Sequence, residues 1–169
     1  MDAMQAIFTR RSIRNYIADK PVPDETVETL LKAAMAAPTA GNVQPWRFIV
    51  IRNREILEND IPRLHPNASF AKYASVAVLI CGDTTNEQYA GYWVQDCSAA
   101  MENLLLAAHA LGLGACWCGV HPREQRVAGF RALLDIPDGW TPLGVATIGY
   151  TDRKKDASEK YNPSYVRFV

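Results

Sequence analysis

The chain has 169 residues, 49% of them hydrophobic and 21% charged, a globular composition at a length that suits one domain over 1–169. Its 18 basic and 18 acidic side chains cancel, so nothing points to the broad basic face that duplex binding requires. No apolar run approaches the ~20 residues of a membrane span, and "MDAMQAIFTRRS" at the start lacks the apolar core of a signal peptide. A cytoplasmic protein with neither membrane nor nucleic-acid partners is expected.

In chain order, residues 2–9 place Met4, Ile7 and Phe8 at i, i+3, i+4 with Asp2 positioned to cap, which predicts a short helix running into "RRSIRNY" (10–16). Pro23 and two acids then suit a first helical turn, and Val27, Leu30, Leu31, Ala34 and Met35 form one apolar stripe that ends at Pro38. The runs "WRFIVIR" (46–52) and "SVAVLICG" (75–82) are short, continuous and β-branched, as strands covered on both faces would be. Between them, Pro62 and Pro66 suggest an irregular stretch. Val94, Cys97, Met101, Leu104, Leu105, Ala108 and Leu111 predict a long central helix over 92–114, ended by Gly112 and Gly114. "ACWCGV" reads as a short extended segment, Pro122 opens a helix through Val127, Phe130, Leu133 and Leu134, and "LGVATIGY" (143–150) reads as a strand. Helices and strands alternate without repeats, as in a sheet with helices on both faces.

Several groups of residues carry chemistry. Arg10, Arg11 and Arg14 around Ser12 offer forked donors and a hydroxyl suited to a phosphate and its polar neighbours; the same triplet is equally a helix C-terminus where cations favour the dipole. The loop "PTAGNVQP" (38–45) offers backbone donors, Gly41, and the amides of Asn42 and Gln44, able to read the mixed edge of a heterocycle, or else to cap a helix and start a strand. Neither G-x-G-x-x-G nor G-x-x-x-x-G-K-[ST] occurs in the required setting, so the usual nicotinamide and triphosphate cradles are absent, and no G-x-S-x-G supports a serine hydrolase. Cys116, Cys118 and His121 lack the second ligand pair of a structural zinc site, so no metal is assigned and buried small residues are the expected account. Four cysteines are too sparse for a disulfide framework, and Cys81 and Cys97 are expected as buried thiols. His65 and His109 have no acid or nucleophile at a motif spacing.

Together, "RRSIRNY" (10–16), "APTAGNVQPWRFIVI" (37–51), "WVQDCSAAMENLLLAAHALGLGACWCGV" (93–120) and "EKYNPSYV" (159–166) resemble, in order and over nearly the whole chain, the FMN-dependent nitroreductase family in a short form. The resemblance implies an α+β fold with a mostly antiparallel central sheet flanked by helices, and an intertwined homodimer with flavin mononucleotide (FMN) at the subunit interface. It implies that Arg10, Arg11, Ser12 and Arg14 hold the phosphate, ribityl and pyrimidine end of the flavin. Pro38, Thr39, Ala40 and Asn42 would reach the flavin of the other subunit, Trp117, Cys118 and Gly119 would lie against the ring through backbone atoms, and Lys160 would meet the phosphate as a point charge.

The implied activity is an oxidoreductase in which NADH or NADPH reduces the flavin, which then reduces a nitroaromatic, a quinone or a related small acceptor, with no side chain acting as catalytic acid or base. The intervals between the strands, and between Gly82 and Tyr92, leave little room for the helices that cover the substrate side in longer members. Competing readings keep the fold with another flavin reaction (dehalogenation, enoyl-type reduction, flavin fragmentation), or make the chain a non-catalytic flavin-binding protein or a cofactor-free structural domain.

Overall fold

The four extended segments join in one antiparallel sheet. The computed structural model describes residues 1–169 apart from Asn86, Lys154 and Ser158. Its strands β1 (Trp46–Ile51), β2 (Val76–Asp83), β3 (Leu113–Gly119) and β4 (Trp140–Tyr150) lie in the order β1-β2-β4-β3, so β3 is an edge strand. Phe48 stands opposite Ile80, Val78 opposite Ala146, and Cys116 opposite Thr147.

Side chains alternate across a strand, and β2 is apolar from Val76 to Cys81 because both faces are covered there. Val76, Val78 and Ile80 pack on one side, against Leu30 and Ala34 of α2 (Asp24–Met35) and Met101 and Leu104 of α4 (Trp93–Ala110). Ala77, Leu79 and Cys81 pack on the other, against Leu57, Ile61 of α3 (Ile61–Leu64) and Phe130 of α5 (Glu124–Leu133). Each of the larger fully buried side chains contributes roughly 1.5–3 kcal/mol.

Three expectations change. Residues 54–64 and 66–73 are helical rather than irregular: a π turn (Ile56–Asp60) leads into α3, and 3-10 turns follow over Pro66–Tyr73. Pro66 opens its turns, where a missing N–H costs little, and Asn53 Oδ1 accepts from Glu55 N at 2.9 Å at the start of the first run. Pro62 lies inside that run, directly after the π turn. Second, α1 (Ala3–Thr9) forms with Asp2 capping Gln5 N at 2.8 Å, but its stripe of Met4, Ile7 and Phe8 is exposed and only Ala6 is buried. Third, Gly112 (φ 76°) ends α4 region as expected, whereas Gly114 is inside β3. A Cβ there would sit 2.6 Å from Ile13 Cγ2, because the segment after α1 crosses at this point. Pro122 lies just ahead of α5, with Arg123 at the cap position.

That crossing segment is bonded to the sheet. Ile13 N–H donates to Ala115 O at 2.9 Å, and Ile17 N–H donates to Tyr150 O at 2.8 Å. The buried Tyr16 hydroxyl lies 2.9 Å from Ile13 O, 3.0 Å from Thr147 O and 2.8 Å from Thr147 Oγ1. Burial raises the Tyr16 pKa, so the hydroxyl stays protonated and donating. Tyr16→Phe removes the shared donor while keeping the ring; it is expected to lower stability by about 1–3 kcal/mol in urea unfolding. An unchanged midpoint would contradict this account of the crossing.

Candidate functional site

The bond at Ala115 fixes which backbone groups of β3 face outward. In an antiparallel strand both polar groups of a residue point to the same side, and sides alternate. Ala115 offers its carbonyl to Ile13, away from β4, so Trp117 and Gly119 also turn outward, while Cys116 and Cys118 bond toward β4. Of the three residues expected to meet a ring through backbone atoms, Trp117 and Gly119 thus present their groups at the free edge, and the Cys118 amide is turned into the sheet.

The same crossing delivers the arginines beside that edge. Arg10 closes α1 and its Nε donates to Glu102 Oε1 of α4 at 3.0 Å. Arg11 Nε donates to Asp156 O at 2.9 Å and Nη1 to Phe8 O and Arg10 O, while its buried Nη2 has no partner among the described residues. Ser12 bridges to Ala115, and Lys155 Nζ donates to Ser12 O at 3.0 Å. Arg14 points to the α3 side, its guanidinium carbon 5.7 Å from the Phe70 ring centre.

Cys81 and Cys97 are buried as expected, and burial pushes both thiols up to about 12. Cys116 and Cys118 are equally buried and tightly coupled: the hydrogen bond between the two thiols lowers the Cys116 pKa and raises that of Cys118, and Arg14, Ser12 and Lys155 also favour the Cys116 thiolate against the effect of burial. Arg14 and Lys155 thus both place positive charge near Cys116.

Lys155 belongs to the basic run "DRKK", which shows its charge but not that it reaches Ser12. Lys160, the lysine that the resemblance assigns to the phosphate, lies in the exposed tail.

The loop over 38–45 is a separate body. Gly41, Asn42 and Gln44 all have φ near +55°, at 55°, 56° and 53°. Gln44 N–H donates to Thr39 Oγ1 at 3.1 Å, and Asn42 Oδ1 accepts from Gln44 Nε2 at 2.9 Å. Gly41 is required twice over, by its φ and by the Tyr89 ring, which a Cβ would meet at 2.5 Å. The loop is anchored by Asp96, a buried acid on α4 whose Oδ1 accepts from Ala40 N at 3.0 Å. Pro38 precedes this 3-10 turn, after the end of α2. Asp96 and Glu102 are six residues apart, hence about 120° apart around α4. Within one chain the loop and the arginine cluster are therefore set on different faces of the helix, and no hydrogen bond joins them among the described residues.

A groove of about 700 Å³ is lined by Ile17, Lys20, Arg54, Glu58 and Tyr73 among others and contains none of the expected residues. The Arg54 guanidinium there is occupied by Glu58, Ala74 O and Lys72 O, so it offers no open fork. A groove of about 380 Å³ adjoins the β3 edge, lined by Trp117, Gly119, Val94, Ser98, His121 and Leu143. Among the described residues no group of three or more His, Cys, Asp or Glu is placed to hold a metal, and no helix is long and apolar enough to cross a membrane.

An antiparallel four-stranded sheet between two helical layers, with a basic crossing segment at its edge strand, is a recurrent arrangement. A solved structure titled FMN-dependent nitroreductase, from Clostridium difficile, superimposes with a TM-score of 0.88 at 31% identity, covering 98% of each chain. A Desulfovibrio desulfuricans protein provisionally titled a nitroreductase, solved in complex with FMN, superimposes with a TM-score of 0.85 at 29% identity, over 100% of this chain and 98% of that one. In sequence, a Methanothermobacter thermautotrophicus protein, provisionally named NADH dehydrogenase/NAD(P)H nitroreductase, is 48% identical over 166 residues, 98% of this chain and 86% of its own. The nitroreductase family profile matches residues 7–79 and 63–150, and the chain belongs to that family.

Two outcomes test this geometry. Asp96→Ala is expected to lose about 1–3 kcal/mol and to speed hydrogen exchange at 40–44, while Asp96→Asn, whose carbonyl still accepts, retains most of the stability. Burial and Arg126 lower the His65 pKa from 6.5, and burial with Arg10 and Arg11 lowers that of His109. Both rings are depressed bases, so the unfolded chain takes up protons first. Stability is expected to be full above about pH 6.5 and to fall below it until the folded values are passed, as read from urea midpoints.

Proposed function

We propose that the protein is an FMN-dependent oxidoreductase that uses NADH or NADPH to reduce nitroaromatics, quinones or a related small acceptor. The observation that carries this is the buried Nη2 of Arg11, which has no partner among the described residues, within a group of Arg10, Ser12, Arg14 and Lys155 beside an open strand edge. A donor buried without an acceptor costs roughly 1–3 kcal/mol, and an anion at this point removes that cost. The names of the relatives described above support the same reading.

When bound, FMN supplies the hydride-accepting and hydride-donating centre. The chain's own residues bind and orient it. Arg11 and Lys155 hold phosphate oxygens, Lys160 adds a looser point charge, and Arg10, Ser12 and Arg14 present donors to the polar portion of the cofactor. The outward backbone groups of Trp117 and Gly119 meet the ring edge, with Cys118 between them. Cations on this side favour negative charge there and hence the reduced state. No side chain acts as general acid or base.

The functional unit is a homodimer. Met4, Ile7 and Phe8 of α1 and Tyr161, Tyr165 and Phe168 of the tail are exposed apolar groups of the kind that mark an interface. A second copy supplies Pro38, Thr39, Ala40 and Asn42 to the site, which accounts for a strained loop standing apart from the arginines of its own chain.

Purified protein mixed with FMN and passed through a desalting column is expected to stay yellow, and to bleach anaerobically with NADH or NADPH. Loss of all flavin on the column overturns the assignment. Arg11→Ala is expected to weaken FMN binding by about tenfold or more, read from flavin fluorescence.

A further inference from the structure

Arg126, on the first turn of α5, reaches the same outward edge of β3 as the crossing segment, four residues further along the strand. Its Nη1 lies 3.0 Å from Gly119 O and 3.0 Å from His65 Nε2. His65, at the end of α3, is only 5% exposed, and its Nδ1 has no partner among the described residues. Arginine has no acceptor and keeps its charge, so the ring nitrogen facing it is the acceptor; His65 is neutral, with its proton on Nδ1, an assignment made from the network.

Gly119 is the last residue of β3 and its flank is open, since a Cβ there would meet nothing within 4 Å. The outward side of the strand is thus held at two points, by Ile13 at Ala115 and by Arg126 at Gly119, with the backbone groups of Trp117 presented between them.

We infer that Arg126, oriented by the uncharged His65 ring, is a positioning residue that fixes the Gly119 carbonyl and so aims the β3 edge at the flavin ring. The inference rests on the flavin reading above. It makes the site sensitive to acid. Protonating His65 removes the acceptor that orients Arg126 and sets a second cation against it. Arg126, from α5, is the charged group that bears on His65 among the described residues, and β3 contributes the Gly119 carbonyl. Burial, and then Arg126, favour the neutral ring.

The test uses the full chain, FMN, and the variants Arg126→Gln, Arg126→Lys and His65→Gln, each first checked for wild-type circular dichroism. In the wild type without FMN, the 15N shift of the Val120 amide, which shares its peptide unit with Gly119 O, is expected to follow the His65 ring titration; in Arg126→Gln it is expected not to. At about pH 7.5, Arg126→Gln is expected to weaken FMN binding about tenfold, with partial recovery in Arg126→Lys and near wild-type affinity in His65→Gln, whose carbonyl still accepts from Arg126. The FMN phosphate itself titrates near pH 6, so the acid response is read as the difference between wild type and His65→Gln; only the wild type is expected to lose the His65-linked part. A Val120 shift blind to His65, or an unchanged FMN affinity in folded Arg126→Gln, overturns the inference and leaves the flavin reading standing. Wild-type protein that binds no FMN overturns both, even if Val120 follows His65.

Discussion

One backbone hydrogen bond, from Ile13 N–H to Ala115 O, sets the geometry on which the rest of the site depends. It pairs the crossing segment with an edge strand and thereby decides which of the alternating β3 groups remain free. The bond is possible because Gly114 has no side chain where Ile13 passes and because Tyr16 closes the segment onto Thr147 of β4. Within this short stretch, side chains that are otherwise free to reach anywhere in solution are committed to one edge of the sheet. Arg10, Arg11, Ser12 and Arg14 inherit their positions from it.

The long helix α4 acts as a common support with distinct faces. Asp96 holds the Ala40 amide, Glu102 holds Arg10, and His109 Nε2 lies 2.7 Å from Thr9 Oγ1. These contacts differ in weight. The Arg10–Glu102 pair is partly exposed and contributes modestly, whereas the buried Asp96 carboxylate satisfies a backbone donor of a loop whose residues Asn42 and Gln44 adopt unfavourable left-handed conformations. Strain of this kind persists where the surroundings over-determine it. The internal bonds of the loop, Asp96 and the Tyr89 ring over Gly41 together provide that constraint.

Much of the local structure is legible in the chain itself. The i, i+3, i+4 pattern locates α1, α2 and α4, and the apolar runs locate β1 and β2; the expected cover on both faces holds for β2, whereas β1 lies at the sheet edge with Val50 exposed. The prolines at 62 and 66 mislead for different reasons: Pro66 is well suited to begin a helical turn, and Pro62 is carried inside a helical run just after the π turn, both beside the buried Leu57, Ile61, Ala68 and Ala71. In α1 the periodicity identifies the helix but says nothing about what Met4, Ile7 and Phe8 face. The arginine triplet and the 38–45 loop are recognisable as chemistry-bearing, while Lys155, Asp96 and Arg126 are not, since each acts through a contact far away in sequence.

Composition, charge and hydrophobic period thus determine by themselves the longer helices and the strands, the two-sided burial of β2 and the candidate polar groups, because these depend on neighbours within a few residues. The pairing of Ile13 with Ala115, the exposure of the Trp117 and Gly119 edge, the separation of the loop from the arginines around α4, and the meeting of His65, Arg126 and Gly119 are decided only by the tertiary structure. They depend on long-range register, and a hydrogen bond between residues a hundred positions apart leaves no periodic trace in either segment.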